Sequence, residues 1–337
     1  MKFVNFAILA LASVNFVSAS PIKEKRAIND KNQCNDQYCY WVSGPSGGTA
    51  TLVGFGRKNQ NSKVVNVPTK VVFEGYTYKV TSVGENAFGN TAITEVNVAS
   101  GISELKLSHN AFADCKNLKR VVLNSPVVGL VDNTPFSNPN KDCVFLGQGV
   151  KTFTNDQVKR LLKSLNIEKK DYSKIDDYQR KVALFELAKT LSQYIRISDN
   201  KDGGNVIAAI KTKFGNSAGR ARLYRLLAIE MGVPKKDIFI GHDGKNAYFY
   251  YLKLDNVWFN CEVDYPFRRY SVYYQAEWQR PFFMDNASMK TNLGTSVNPS
   301  SWYVLFSEYG YGDEFRGQQS YDIFDQYLRQ NKLGSRK

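Results

Sequence analysis

The first half of the chain alternates apolar and polar residues in short runs, and one pattern recurs at a fixed interval. Val83-Gly84-Glu85-Asn86-Ala87-Phe88 is followed by Leu107-Ser108-His109-Asn110-Ala111-Phe112 and, more weakly, by Val131-Asp132-Asn133-Thr134-Pro135-Phe136. Both steps between the phenylalanines are 24 residues. After each phenylalanine comes a turn and then an alternating apolar run: Ile93, Val96 and Val98, then Leu118, Val121 and Leu123, then Val144 and Leu146. A short strand per unit at a period in the twenties predicts stacked coils, because one unit cannot bury its own apolar edge. The phenylalanines then fill the core and the alternating runs line a sheet.

The period changes beyond Thr152. Residues 154–165 and 178–195 carry apolar side chains at helical spacing, with Val182, Phe185, Leu187, Leu191 and Tyr194 on the second. Residues 199–205 are a turn-rich break. The stretch 215–221 leads into a helix through Leu226, Leu227 and Met231 that stops at Gly232. Strands are predicted over 247–254 and 257–263, with Asp255-Asn256 as the hairpin turn. A short helix is predicted over 322–328. The pattern as a whole is α+β.

The N-terminus adds a processing signal. A lysine at position 2 precedes a mostly apolar run from Phe3 to Val17, and Val17-Ser18-Ala19 suits signal peptidase. Residues 1–19 are read as a signal peptide, since the run is shorter than the roughly 20 residues a membrane span needs. Lys25-Arg26 resembles a dibasic processing site, so residues 20–26 read as a short propeptide. The remainder divides into a repeat region over 27–150 and a second domain over 151–337.

Charge and cysteines narrow the partners. The chain of 337 residues carries a formal net charge of +14, and loss of residues 1–26 leaves +11. That balance favours acidic surfaces, and secretion excludes nucleic acid as the expected partner. In an oxidising compartment Cys34 can close a loop with Cys39, and Cys115 can meet Cys143, leaving Cys261 as a buried thiol. With only His109 and His242, and no CxxC, no metal site and no cofactor are expected. Asn286-Ala287-Ser288 is a glycosylation sequon.

The repeats at 81–98 and 107–123 resemble the BspA-type leucine-rich repeats of surface-exposed proteins, and residues 64–84 resemble the β-hairpin lead-in of such arrays. The resemblance implies a short β-solenoid, surface display and adhesion. Gly215-Asn216-Ser217-Ala218-Gly219-Arg220-Ala221 and the run 247–266 together resemble the transglutaminase-like superfamily, whose papain-like α+β core has a helix opened by cysteine and two strands carrying histidine and aspartate. This sequence places Ser217 at the cysteine, Ala247 at the histidine (Asn246 if the register slips by one) and Glu262 at the aspartate.

Those departures matter chemically. Cysteine acts through a populated thiolate, whereas serine depends wholly on a general base. Neither Ala247 nor Asn246 accepts a proton. The resemblance therefore implies a vestigial triad at Ser217, Ala247 and Glu262 and no catalysis. An alternative is an acyl-transfer or peptidase-like enzyme with Ser217 as nucleophile. A third reading is an unrelated α+β domain in which Ser217 is an ordinary N-cap.

Candidate contacts for a ligand are Arg220 on that helix and the C-terminal aromatics. Residues 268–278 and 300–315 hold Tyr270, Tyr273, Tyr274, Trp278, Trp302, Tyr303, Tyr309 and Tyr311. Flat aromatic faces with polar rims suit sugar rings or protein partners. The expectation is a secreted, non-catalytic binding protein for extracellular polysaccharide or protein, either free or associated with the cell wall. A structural wall component held by charge is the remaining alternative.

Overall fold

A computed structural model describes residues 31–44, 47–198, 204–242, 248–254, 256–261, 303–305 and 329–330. The proposed signal peptide and propeptide, and the helix expected over 322–328, lie outside them.

The repeats build two sheets. A seven-stranded sheet contains β1 (Lys31–Cys34), β2 (Tyr38–Ser43), β3 (Thr49–Phe55), β6 (Tyr76–Val83), β8 (Glu104–Leu107) and β10 (Val127–Leu130) in that spatial order, with β5 (Lys70–Phe73) also paired to β6. The second sheet runs β11 (Val144–Leu146), β9 (Arg120–Leu123), β7 (Glu95–Val98) and β4 (Val64–Val67), and all its pairs are parallel. Each repeat gives one strand to each sheet. Alternation decides the faces: on β7 to β9, Val96, Val98, Leu105, Leu107, Val121 and Leu123 are all buried.

Phenylalanines fill the space between the sheets. Phe88 stacks on Phe112 at 5.4 Å between centroids, and Phe112 on Phe136 at 4.8 Å. Such pairs contribute about 0.5–1.5 kcal/mol beyond the area they bury. The asparagine of each Asn-Ala-Phe element has a structural cause. Asn86 and Asn110 sit at φ 53° and 52°, in the left-handed region that asparagine tolerates better than most residues. Their backbones tie coil to coil, with Asn86 N–H donating to the His109 carbonyl and Phe88 N–H to that of Ala111.

Both ends of the stack are covered. At the start, the β1–β2 hairpin is closed by the Cys34–Cys39 disulfide and buries Tyr38 and Tyr40. At the far end lie α1 (Val150–Ser164) and α3 (Val206–Thr212), with Phe153, Ile207 and Ala208 joining the repeat core. Asn205 caps α3 by accepting from Ala208 N–H, while its Nδ2 donates to the Phe145 carbonyl at 3.0 Å. The hydrophobic core of the repeats therefore continues past residue 150.

A second core gathers α2 (Asp177–Tyr194), α4 (Ser217–Met231) and a four-stranded antiparallel sheet. That sheet runs β16 (Val257–Cys261), β15 (Tyr248–Leu254), β14 (Ile238–His242) and β17 (Tyr303–Leu305). A two-stranded parallel pair, β12 (Arg196–Ile197) and β13 (Phe214–Gly215), links the helices.

Several expectations need correction. Helix α1 starts at Val150 rather than Thr154, because Val150 and Phe153 are held against the last repeat. The sequence pattern does not predict α3 or β14, since both are short apolar runs without a diagnostic period. Asn216, not Ser217, caps α4 by accepting from Gly219 N–H at 3.0 Å. Cys115 and Cys143 are not bridged; both are buried free thiols. The Cys115 thiol is instead engaged within the stack, donating to the Phe88 carbonyl at 3.1 Å.

Candidate functional site

The helix start singled out in the sequence is only partly a surface. Ser217 is half-buried in the first turn of α4. Arg220, expected as a ligand contact, is 2% exposed, so its guanidinium is a core group rather than a free one. Arg222 and Arg225 are buried too: Arg222 Nη1 donates to the Gly204 carbonyl and Arg225 Nε to that of Ile238. This helix is packed on all sides, and Tyr224 stacks on Tyr250 of β15 at 4.2 Å.

The buried thiols are held protonated. Burial pushes the Cys261 thiol well above its ordinary value, raises Cys115, and raises Cys143 to about 12. A thiol in that state is a poor nucleophile and a poor metal ligand. Among the described residues no group of three His, Cys, Asp or Glu side chains could hold a metal ion. No helix among them is long and apolar enough to cross a membrane. Ala247, Glu262, Trp278, Asn286 and Trp302 lie outside the described residues, and Tyr303 is described as backbone alone, paired with His242.

The described surface offers a different candidate, the outer face of the seven-stranded sheet. On β2, Tyr38, Tyr40 and Val42 point inward, which turns Trp41 outward at 47% exposure. Cross-strand register places Trp41 beside Thr51, Thr51 beside Ser82, Ser82 beside Lys106, and Lys106 beside Gly129. At about 4.8 Å between strands this row crosses five strands over roughly 19 Å. Thr51 Oγ1 and Ser82 Oγ share a hydrogen bond of 2.6 Å, which fixes their rotamers. Glu104 and Lys106 add exposed charge. An apolar ring on an exposed sheet face, flanked by held hydroxyls and a cation, can stack on a sugar and hydrogen-bond its rim.

Sequence reading missed Trp41, although its signal was present in the Tyr-Cys-Tyr-Trp-Val alternation.

No protein-family model and no curated protein sequence matches this chain. Among solved structures, it is similar to a leucine-rich repeat protein from Bacteroides capillosus, at 22% identity and a TM-score of 0.23, over 29% of this chain and 97% of that one. It is also similar to a leucine-rich cell surface protein from Faecalibacterium prausnitzii, at 19% identity and a TM-score of 0.25, over 36% of this chain and 40% of that one. The pneumococcal vaccine antigen PcpA matches at 16% identity and a TM-score of 0.22, over 35% of this chain and 46% of that one. The chain thus spans less than half of the latter two proteins, and each likeness covers about a third of its own length.

Proposed function

We propose that this chain is a secreted, non-catalytic binding protein of the adhesion kind, which engages extracellular polysaccharide through the outer face of its long sheet. The observation that carries the reading is Trp41, a large ring 47% exposed at one end of a row of held hydroxyls. In this reading the repeats are a short β-solenoid. The second half is a transglutaminase-like scaffold whose triad positions Ser217, Ala247 and Glu262 do no chemistry. Its helices α1 and α3 close the open end of the repeat core, a role that needs packing and no catalytic group.

The positive charge supports capture of acidic polymers, because lysines spread over the surface raise the local concentration of an anionic chain. Stacking by Trp41 then adds a component that salt does not screen. The test is retention of the full secreted protein on insoluble wall polysaccharides at low and high salt, with Trp41→Ala alongside. Retention that survives high salt and falls in Trp41→Ala supports the reading. Retention lost at modest salt leaves charge alone, and salt-resistant retention only on immobilised extracellular proteins makes the ligand a protein.

A further inference from the structure

A cleft of about 300 Å³ opens where the third repeat meets the helices. Its walls include Ser137 after Phe136, Gln157 and Ser164 of α1, Tyr194 at the end of α2, Lys211 of α3 and Lys213 just beyond. The cleft lies at the repeat–helix junction and includes none of the sheet-face row at Trp41.

Its charge is one-sided. Lys211 is 6% exposed, and its Nζ donates to the Asn133 carbonyl at 2.8 Å while lying 5.6 Å from the Phe153 ring centroid. An ammonium carries three donors, so one carbonyl does not exhaust it. Lys213 is the second cation, 5.5 Å from the centroid of Tyr194. Among the described residues no carboxylate lines the cleft. The two nearby ones that act on Lys211 are committed elsewhere: Asp132 to His109 and Thr134, and Asp156 to Arg160. A buried cation without a dedicated counter-ion is costly, and an anion entering the cleft offsets that cost.

A second observation is independent of charge. Gln157 is 2% exposed, and its Nε2 has no hydrogen-bond partner among the described residues. A buried amide donor left in this state carries an uncompensated desolvation cost. It asks for an acceptor, as the lysines do. Ser137 and Ser164 hydroxyls donate to the carbonyls of Thr134 and Leu161, which leaves their oxygens able to accept from a ligand hydroxyl. Tyr194 supplies an aromatic wall.

We propose that this cleft binds a polyhydroxylated carboxylate, a sugar acid whose carboxylate meets Lys211, Lys213 and the Gln157 amide while its hydroxyls meet Ser137 and Ser164. The volume suits one sugar ring, at the low end of the range for small-molecule sites. A free sugar acid and the acidic end residue of a polysaccharide present the same chemistry. The site is separate from the sheet face, so it stands or falls without Trp41.

The test is titration calorimetry on the full secreted protein with glucuronate, glucose and inorganic phosphate at about pH 6, with an oligoglucuronate as a fourth probe. Glucuronate is expected to bind at least about tenfold more tightly than glucose or phosphate, a gap of about 1.4 kcal/mol. Lys211→Met should lose at least that factor, and Trp41→Ala should lose none. Lys213→Met keeps the test valid if Lys211→Met fails to fold, and it should weaken glucuronate binding in the same direction. Oligoglucuronate binding as tightly as or more tightly than glucuronate assigns the polymer end; weaker binding assigns the free sugar acid. Absence of glucuronate binding, phosphate binding more tightly than glucuronate, or full binding by a folded Lys211→Met variant overturns the site.

Discussion

The carboxamide of Gln330 grips both backbone groups of Trp258: its Oε1 accepts from Trp258 N–H at 2.8 Å and its Nε2 donates to the Trp258 carbonyl at 3.0 Å. Those two groups lie on the outer side of β16, the edge strand of the second sheet among the described residues. One side chain thus does there what a further strand would do, and it covers an edge that could template aggregation.

Removing the grip has a defined cost. Gln330→Ala leaves two backbone groups without their partner and should destabilise the protein by about 1–2 kcal/mol. Thermal melts and size-exclusion chromatography check this, the expected result being a lower Tm with some oligomer. An unchanged Tm and a monomeric profile would show that water replaces Gln330 without loss.

The cysteines give a count that thiol titration reads directly. Cys34 and Cys39 are bridged, and Cys115, Cys143 and Cys261 are buried and free. The native protein should be inert to a thiol reagent, and the unfolded, unreduced chain should release three equivalents. Only one equivalent would mean that Cys115 and Cys143 pair after all. Reducing the Cys34–Cys39 bond should cost about 2 kcal/mol, the loop-closure figure for so short a loop.

How much of this was legible in the sequence depends on how far apart the interacting residues lie. The repeats were readable because a 24-residue period, a left-handed asparagine and an alternating strand are all local features. Lys211 was not, since its burial depends on Asn133, 78 residues earlier in the chain. Arg220 was misplaced for a related reason. Helical spacing can separate an apolar face from a polar one, but α4 is buried all round, arginines included, because Arg222 and Arg225 find backbone carbonyls as partners. Trp41, by contrast, is readable from strand alternation alone.

Lys211 also makes a prediction about pH. Burial pulls its amine down from 10.5 to about 7, against the attraction of Asp132 and Asp156 and with the repulsion of Arg160. Between those values the unfolded chain holds the proton and the folded one does not, so this group makes stability rise with pH from about 7 towards 10.5. Below about 7 both states are charged and the folded state bears the full burial cost. Lys211→Met should therefore raise Tm at pH 6, with a gain that shrinks by pH 9. His109 joins the same cluster through Asp132, so His109→Gln in both backgrounds isolates the lysine contribution. A gain that does not vary with pH would mean that Lys211 stays charged in the fold.

Binding by the sheet face is the central claim, and the direct measurement is polysaccharide affinity for Trp41→Ala beside Trp302→Ala at high salt, both checked for native circular dichroism. The account predicts that Trp41→Ala weakens binding by at least about tenfold while Trp302→Ala stays close to wild type. Full binding by Trp41→Ala with loss in Trp302→Ala would contradict it and move the site to the C-terminal aromatics.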